Sequence, residues 1–175
     1  MAPDVNVGGK ASSLIVMKSI LGISVPPFTV LQGFLTESQR QERIEAFLRE
    51  HPEVQHVAVR SSALNEDSSQ ASFAGLFATK LHVPANALAI TGAVEEIHAH
   101  GTSKAKVVSH YATNRGLQGS GERIATVVQK MVHADFSGVI LSHSLRARDG
   151  YYLVSLAQGI GESVVSGTVN GKLVR

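Results

Sequence analysis

Three strand-like runs follow one another in the C-terminal third of the chain, with only turn-like segments between them. They read RIATVVQKMV, SGVILS and YYLVSLA. Strands joined without a helical crossover pair antiparallel, because a parallel connection needs a dozen or more residues. Helical patterns and short strands precede these runs without strict alternation. The order therefore predicts an α+β fold rather than a regular α/β fold.

Local signals divide the first part of the chain into helices and strands. A capping-box pattern at Thr36 and Gln39 predicts a helix over ESQRQERIEAFLRE, and ASSLIVMKSILGI predicts an earlier helix that stops at Gly22. Paired prolines in SVPPFTVL favour a strand at a sheet edge, because proline cannot donate to a neighbouring strand. HVAVR and ATKLHV are also strand-like.

Further signals organise the rest of the chain. Asn86 introduces a predicted helix over ALAITGAVEEIHAH, and Thr102 is expected to cap a separate helix over SKAKVVSHYATNRG. Near the end, GIGESVVSG predicts a helix. Asn170 and Gly171 predict a hairpin turn, with a short second arm.

Composition excludes several classes of protein. The 175 residues include no cysteine, which excludes disulfide frameworks and thiolate metal sites. No apolar run approaches the ~18 residues of a membrane span, and the N-terminus does not follow the signal-peptide pattern. The net charge is +2 and the basic residues are scattered, which disfavours nucleic-acid binding. A cytoplasmic protein without a membrane or nucleic-acid partner is expected.

The stretch VAVRSSALNEDSSQASFAG carries the most specific chemical signal. Arg60 ends an apolar strand-like run, where a planar guanidinium can hold phosphate oxygens in a bidentate manner. Pairing with Glu66 or Asp67 is an equally good interpretation of this arginine. The small residues that follow suit either a lid over a polyphosphate or a surface loop anchored by Phe73.

Weaker signals lie elsewhere in the chain. In VGGK, amides at a helix start together with Lys10 can attract phosphate, although glycines before helices are common. In VVQKMV, Gln129 and the following backbone suit an adenine edge, or simply a strand. His98 and His100 are spaced poorly for one metal on a helix. Glu162 suits either a ligand contact or a favourable charge at a helix start.

Five stretches, taken in order, resemble the N-terminal nucleotide-binding domain of the phosphoenolpyruvate synthase and pyruvate phosphate dikinase family. Rifampicin phosphotransferases share that domain. The stretches are VGGKASSL, GISVPPFTVL, VAVRSSALNEDSSQASFAGLFATKLHV, VVQKMVHADFSGVILS and AQGIGESVVSGTVN. The resemblance implies an ATP-grasp fold, in which ATP lies between two α+β subdomains. It also implies ATP and Mg²⁺ as cofactors.

The resemblance implies a role for each matching residue. Lys10 and Arg60 would hold the ATP phosphates, and Arg60 is also the implied catalytic residue. The other implied contacts are Ser72, Gly75 and Thr79 over the phosphates, Gln129, Met131 and Val132 at the adenine, and Glu162 near the ribose. ATP would phosphorylate a histidine on a separate domain, and that histidine would pass the phosphoryl group to pyruvate or to a drug.

Departures from the family pattern limit what this chain is expected to do. Residues 1–175 are expected to form an incomplete ATP-grasp domain. Residues from about 1 to 83 would be a trimmed N-terminal part with the phosphate motifs, and those from about 84 to 175 would hold helices and the adenine-side sheet. The acidic metal ligands, the phosphohistidine domain and the pyruvate domain are expected beyond Arg175, so the chain alone is expected to be inactive.

Other interpretations of the chain stay open. It suits a non-catalytic ATP-binding or regulatory module, or the ATP-binding part of a rifampicin-type phosphotransferase. An unfinished sheet edge is also compatible with a homo-oligomer.

Overall fold

The computed structural model describes residues 7–62, 78–113, 124–141, 152–161, 164 and 172–174, with side chains in the long third helix described as far as His100. The chain divides into two compact units, Met1–Met131 and Val132–Arg175. The elements are α1 Gly8–Ser19, β1 Phe28–Leu31, α2 Glu37–Glu50, β2 His56–Ser62, β3 Thr79–Pro84, α3 Ala87–Thr113, β4 Ala125–Lys130, β5 Phe136–Leu141, β6 Tyr152–Gln158 and β7 Lys172–Val174.

The first unit is built on a four-stranded antiparallel sheet with the order β1-β4-β2-β3. The prediction of an edge strand after the paired prolines is confirmed, since β1 pairs only with β4 among the described strands. The Pro27 carbonyl accepts the Lys130 N–H at 2.9 Å, and this contact needs no donor from proline. The α+β class is confirmed. However, β4 pairs with β1 and β2, whereas the two strand candidates that follow it pair with each other in a separate sheet.

Helices cover both faces of this sheet. One face packs against α2 and α3, through an apolar core that includes Leu31, Ile44, Phe47, Val57, Val59, Val128, Ile90 and Ile97. On the other face, Val7 and Ala11 at the start of α1 pack against Val127 of β4. The strands supply apolar residues to both clusters, because neighbouring residues of a strand point to opposite faces of the sheet.

Local capping signals behave as expected at two helices and fail at one place. The Thr36 hydroxyl accepts from the Gln39 N–H and the Gln39 side chain accepts from the Thr36 N–H, as a capping box requires. Asn86 accepts from the Ala89 N–H at 2.9 Å. The separate helix predicted after Thr102 is wrong, because α3 runs unbroken through that residue. A capping residue acts only where the preceding backbone leaves the helix, and Gly101 alone costs a helix only about 1 kcal/mol.

A buried polar contact ties α3 to the central strand β4. His98 Nε2 lies 3.0 Å from Thr126 Oγ1, and Thr126 is fully buried. Burial lowers the pKa of His98 below its usual 6.5, and the charge of Arg40 acts in the same direction. A backbone hydrogen bond involving Ile124 opposes these effects. The folded protein therefore favours the neutral imidazole.

Acidification should weaken the first unit through this histidine. Because the pKa of His98 is lower in the folded state, its contribution to stability is complete above pH 6.5 and is lost as pH falls through the folded-state pKa. We expect the free energy of unfolding to fall over this window and His98→Gln to flatten the decline. Urea unfolding at a series of pH values above about 5 tests this, since carboxylates titrate mainly below that range. An identical slope in His98→Gln would contradict the prediction.

The second unit contains a three-stranded antiparallel sheet with the order β5-β6-β7. Of the predicted terminal hairpin, the second arm forms β7 and pairs with β6, while the Asn170–Gly171 turn lies outside the described residues. Of the helix predicted over GIGESVVSG, residues 159–161 and Val164 are described: residues 159–161 form a bend and a turn, and Val164 is helical. Within the described part of the chain, no helix is long and apolar enough to cross a membrane.

Candidate functional site

Strand register brings three of the predicted site residues to one face of the four-stranded sheet. Arg60 on β2 is directly opposite Thr79 on β3. Gln129 on β4 is opposite Ala58, two residues before Arg60 on β2. Directly paired residues, and residues two apart on one strand, share a face. Arg60, Thr79 and Gln129 therefore lie on the same side, which is the side that α1 covers.

The start of α1 is fixed to the end of β2 by a serine that sequence reasoning did not single out. The Ser62 hydroxyl donates to the Val7 carbonyl at 2.7 Å and accepts from the Ala11 N–H at 3.1 Å. In a regular α-helix those two backbone groups would bond to each other, four residues apart. Ser62 thus supplies from β2 the cap that Val7 lacks. Ser62 lies two residues after Arg60 on β2, and its partner Ala11 directly follows Lys10. This contact therefore places Lys10 beside the strand that carries Arg60.

Gly8 makes this close approach possible. Its φ is +75°, a region that residues with a Cβ adopt rarely. A Cβ on Gly8 would lie 2.5 Å from both the carbonyl carbon and the carbonyl oxygen of Ser62. The first glycine of VGGK is therefore a packing requirement at the contact between α1 and β2. In the sequence this glycine is only a weak signal, because glycines before helices are common.

After β4, the Met131 backbone N–H already has a hydrogen-bond partner within the sheet. The Met131 N–H donates to the His56 carbonyl at 2.9 Å, which extends the pairing of β4 with β2 by one residue. Among the backbone hydrogen bonds of the described residues, none involves the Met131 carbonyl. Val132 is the first residue of the second unit, and its side chain is exposed.

The charges near this face are mainly cationic among the described residues. Arg60 is half-buried, and no described carboxylate lies within ion-pairing distance of it. The described ion pairs lie elsewhere: Lys80 pairs with Glu96, and Lys130 lies 3.5 Å from Glu53. Glu66 and Asp67, the sequence-based alternative partners of Arg60, lie outside the described residues, as do Ser72, Gly75 and Glu162.

A shallow groove of about 480 Å³ lies beside the same face, between α1 and the edge strand β1. It is lined by Ile15, Lys18, Ser19, Phe28, Thr29 and Val30. The Lys18 ammonium lies 5.6 Å from the centre of the Phe28 ring, at a distance suited to a cation–π contact. Among the described residues, none of the predicted site residues lines this groove.

Comparison with known proteins identifies the family of this chain. The family model described as "Pyruvate phosphate dikinase, AMP/ATP-binding domain" matches residues 35–173. The chain belongs to this family. The matched region contains Arg60, Thr79 and Gln129, whereas α1 with Lys10 precedes it.

Curated relatives of the pyruvate phosphate dikinase family include several transferases. An uncharacterized phosphotransferase, YvkC, of Bacillus subtilis is 32% identical over 141 residues, which cover 80% of this chain and 17% of the relative. Phosphoenolpyruvate synthase of Helicobacter pylori is 35% identical over 69% of this chain and 15% of its own length. The prodigiosin synthesizing transferase PigC of Serratia marcescens is 36% identical over 65% of this chain and 12% of its own length. The chain thus spans less than a fifth of each of these relatives.

Proposed function

We propose that this chain supplies the phosphate and adenine contacts of an ATP-grasp site in a phosphotransferase similar to phosphoenolpyruvate synthase. The family assignment supports a nucleotide ligand. The observation that carries the proposal is the shared face of Arg60, Thr79 and Gln129, which gives a nucleotide a cationic end and a polar end on one rigid sheet.

The phosphate end is assigned to Lys10, Arg60 and Thr79. Arg60 would hold the transferred phosphoryl group with two parallel N–H···O contacts, while Lys10 adds a point charge. The Thr79 hydroxyl, directly opposite Arg60, would donate to a further phosphate oxygen. Ser72 and Gly75 are proposed to close over the phosphates with their backbone amides.

The adenine end is assigned to Gln129, Met131 and Val132. Since the Met131 N–H is bonded to His56, adenine would meet the Met131 carbonyl through its exocyclic amino group. The Val132 N–H would donate to a ring nitrogen, and the Gln129 amide would supply a further contact. Glu162 is proposed to accept from a ribose hydroxyl.

Magnesium has no ligand set among the described residues. No group of three or more described His, Asp or Glu side chains could hold a metal ion, and the described residues on the Arg60 face include no carboxylate. The described residues therefore do not fit an Mg²⁺ site. Acidic ligands from sequence outside this chain are part of the proposal.

In the full protein, the phosphoryl group would pass from ATP to a histidine on another domain, and from there to an acceptor. The chain's contribution is positional, because phosphoryl transfer depends mainly on alignment and on neutralisation of charge. The named products of the relatives differ, which supports an acceptor chosen outside this domain. A trimmed N-terminal part that ends near residue 83, a cytoplasmic location and homo-oligomerisation are parts of the same proposal.

Removal of the Arg60 guanidinium should weaken ATP binding. A charge-assisted hydrogen bond contributes about 1.5–3 kcal/mol, so Arg60→Ala should raise the dissociation constant for ATP roughly tenfold or more. Isothermal titration calorimetry with ATP and Mg²⁺ measures this directly. Arg49→Ala, at an exposed position of α2, is the matched control and should bind like the native chain. Equal affinities for the native chain and Arg60→Ala would contradict the assigned role.

A further inference from the structure

A β-bulge interrupts the pairing of β2 with β3. Val57 is opposite Val83 and Val59 is opposite Lys80, so one residue of β2 faces two residues of β3. The two β3 residues are Leu81 and His82, opposite Ala58. His82 has φ +54°, and among the described residues it is the non-glycine residue with positive φ. A non-glycine residue in this left-handed conformation costs of order 1–3 kcal/mol. Its persistence at a bulge therefore points to a function.

The bulge brings two imidazoles together. The ring centroids of His56 and His82 lie 6.3 Å apart, with the ring planes at 70°. Both residues are exposed, so an ion and its remaining water ligands could reach the rings. The His56 backbone is anchored from the other side, because its carbonyl accepts the Met131 N–H. One ring thus stands on a central strand and the other on the bulged strand beside it.

We infer that His56 and His82 form a binding site for a divalent transition-metal ion of the Zn²⁺, Ni²⁺ and Cu²⁺ class. Imidazole nitrogen is a preferred ligand for these ions, whereas Mg²⁺ prefers oxygen. With metal–nitrogen bonds of about 2.0–2.1 Å and an N–metal–N angle of roughly 90–110°, two bound rings have centroids about 4.5–5.3 Å apart. The observed separation of 6.3 Å is about 1 Å wider, so both exposed side chains must rotate toward each other to bind one ion. Water would fill the remaining positions.

This metal site is separate from the proposed phosphate contacts. His56 precedes Arg60 by four residues on β2, which corresponds to about 13 Å along a strand. His56 is bonded through its carbonyl to Met131 at the proposed adenine end, so the metal measurements are made with no nucleotide present.

Calorimetric titration of the untagged native chain with ZnCl₂ tests the inference. We expect saturable binding of about one ion per chain, and a loss of affinity of about tenfold or more in both His56→Ala and His82→Asn. Asparagine is chosen at position 82 because it tolerates positive φ, so that this backbone is kept. His100→Ala removes an exposed histidine from α3 and should leave the affinity unchanged.

Each outcome decides the question. Absence of saturable Zn²⁺ binding by the native chain would overturn the inference, and so would native affinity in either His56→Ala or His82→Asn. Circular dichroism establishes that the variants are folded. If His56→Ala unfolds, His56→Tyr keeps an aromatic strand residue, removes the imidazole and carries the same expectation.

Discussion

Replacement of Gly8 by alanine should destabilise the first unit by about 2–4 kcal/mol. Two costs combine at this position. The φ of +75° is unfavourable for any residue with a Cβ, and the added carbon would lie 2.5 Å from the Ser62 carbonyl group. The Ser62 backbone belongs to a paired strand, so it cannot move aside as the tip of a flexible side chain could. Guanidinium unfolding should therefore show a lower midpoint for the first unit.

A second glycine separates these two costs. Gly22 has φ +86°, but a Cβ there would meet nothing within 4 Å. Gly22→Ala should therefore lose only the conformational part, about 1–2 kcal/mol. If the two variants lost equal stability, the contact with Ser62 would contribute nothing and the structural argument would be wrong. Gly8→Ala should also weaken ATP binding, because Lys10 follows the displaced turn.

Replacement of Ser62 by alanine should cost about 2–4 kcal/mol, because two buried backbone groups lose their partner at once. Each buried donor or acceptor left unsatisfied costs about 1–3 kcal/mol. The Ser62 side chain is almost completely buried, so water cannot simply replace the hydroxyl. The same change detaches the start of α1 from β2, and we expect weaker ATP binding as well as lower stability.

Ser61 provides the matched control for this variant. It is also buried, and its hydroxyl lies 3.3 Å from the Ala78 carbonyl. That carbonyl also accepts the Ser61 backbone N–H at 3.1 Å, so Ser61→Ala leaves it with a partner. Chemical unfolding should show a clearly smaller loss for Ser61→Ala than for Ser62→Ala. A loss of the same size in both would mean that the Ser62 bridge has no special role.

Much of the local structure could be predicted from the sequence because its causes are local. The capping box at Thr36 satisfies backbone groups within four residues, and the paired prolines remove a donor from their own strand. The error at Thr102 has the same origin. A capping residue favours a helix start at its own position, but it acts only if the preceding backbone is not already helical.

The candidate site was predictable as a set of residues but not as an arrangement. Arg60 and Gln129 were identified by their chemistry and by the family resemblance. Their common face depends on β4 lying between β1 and β2, and a shift of one residue in register would move Gln129 to the opposite side. Strand order and register are set by long-range pairing, which local patterns do not encode.

The sequence by itself determined the α+β class, the positions of most helices and strands, and membership of a nucleotide-binding family. Each follows from residue periodicity, turn chemistry or ordered motifs, which are properties of neighbouring residues. Only the tertiary structure decided that Ser62 caps a helix 51 residues away in the chain, that Gly8 must lack a side chain, and that His56 meets His82 at a bulge. The physical reason is that these contacts join segments distant in sequence, and their energies depend on geometry that exists only after the sheet has formed.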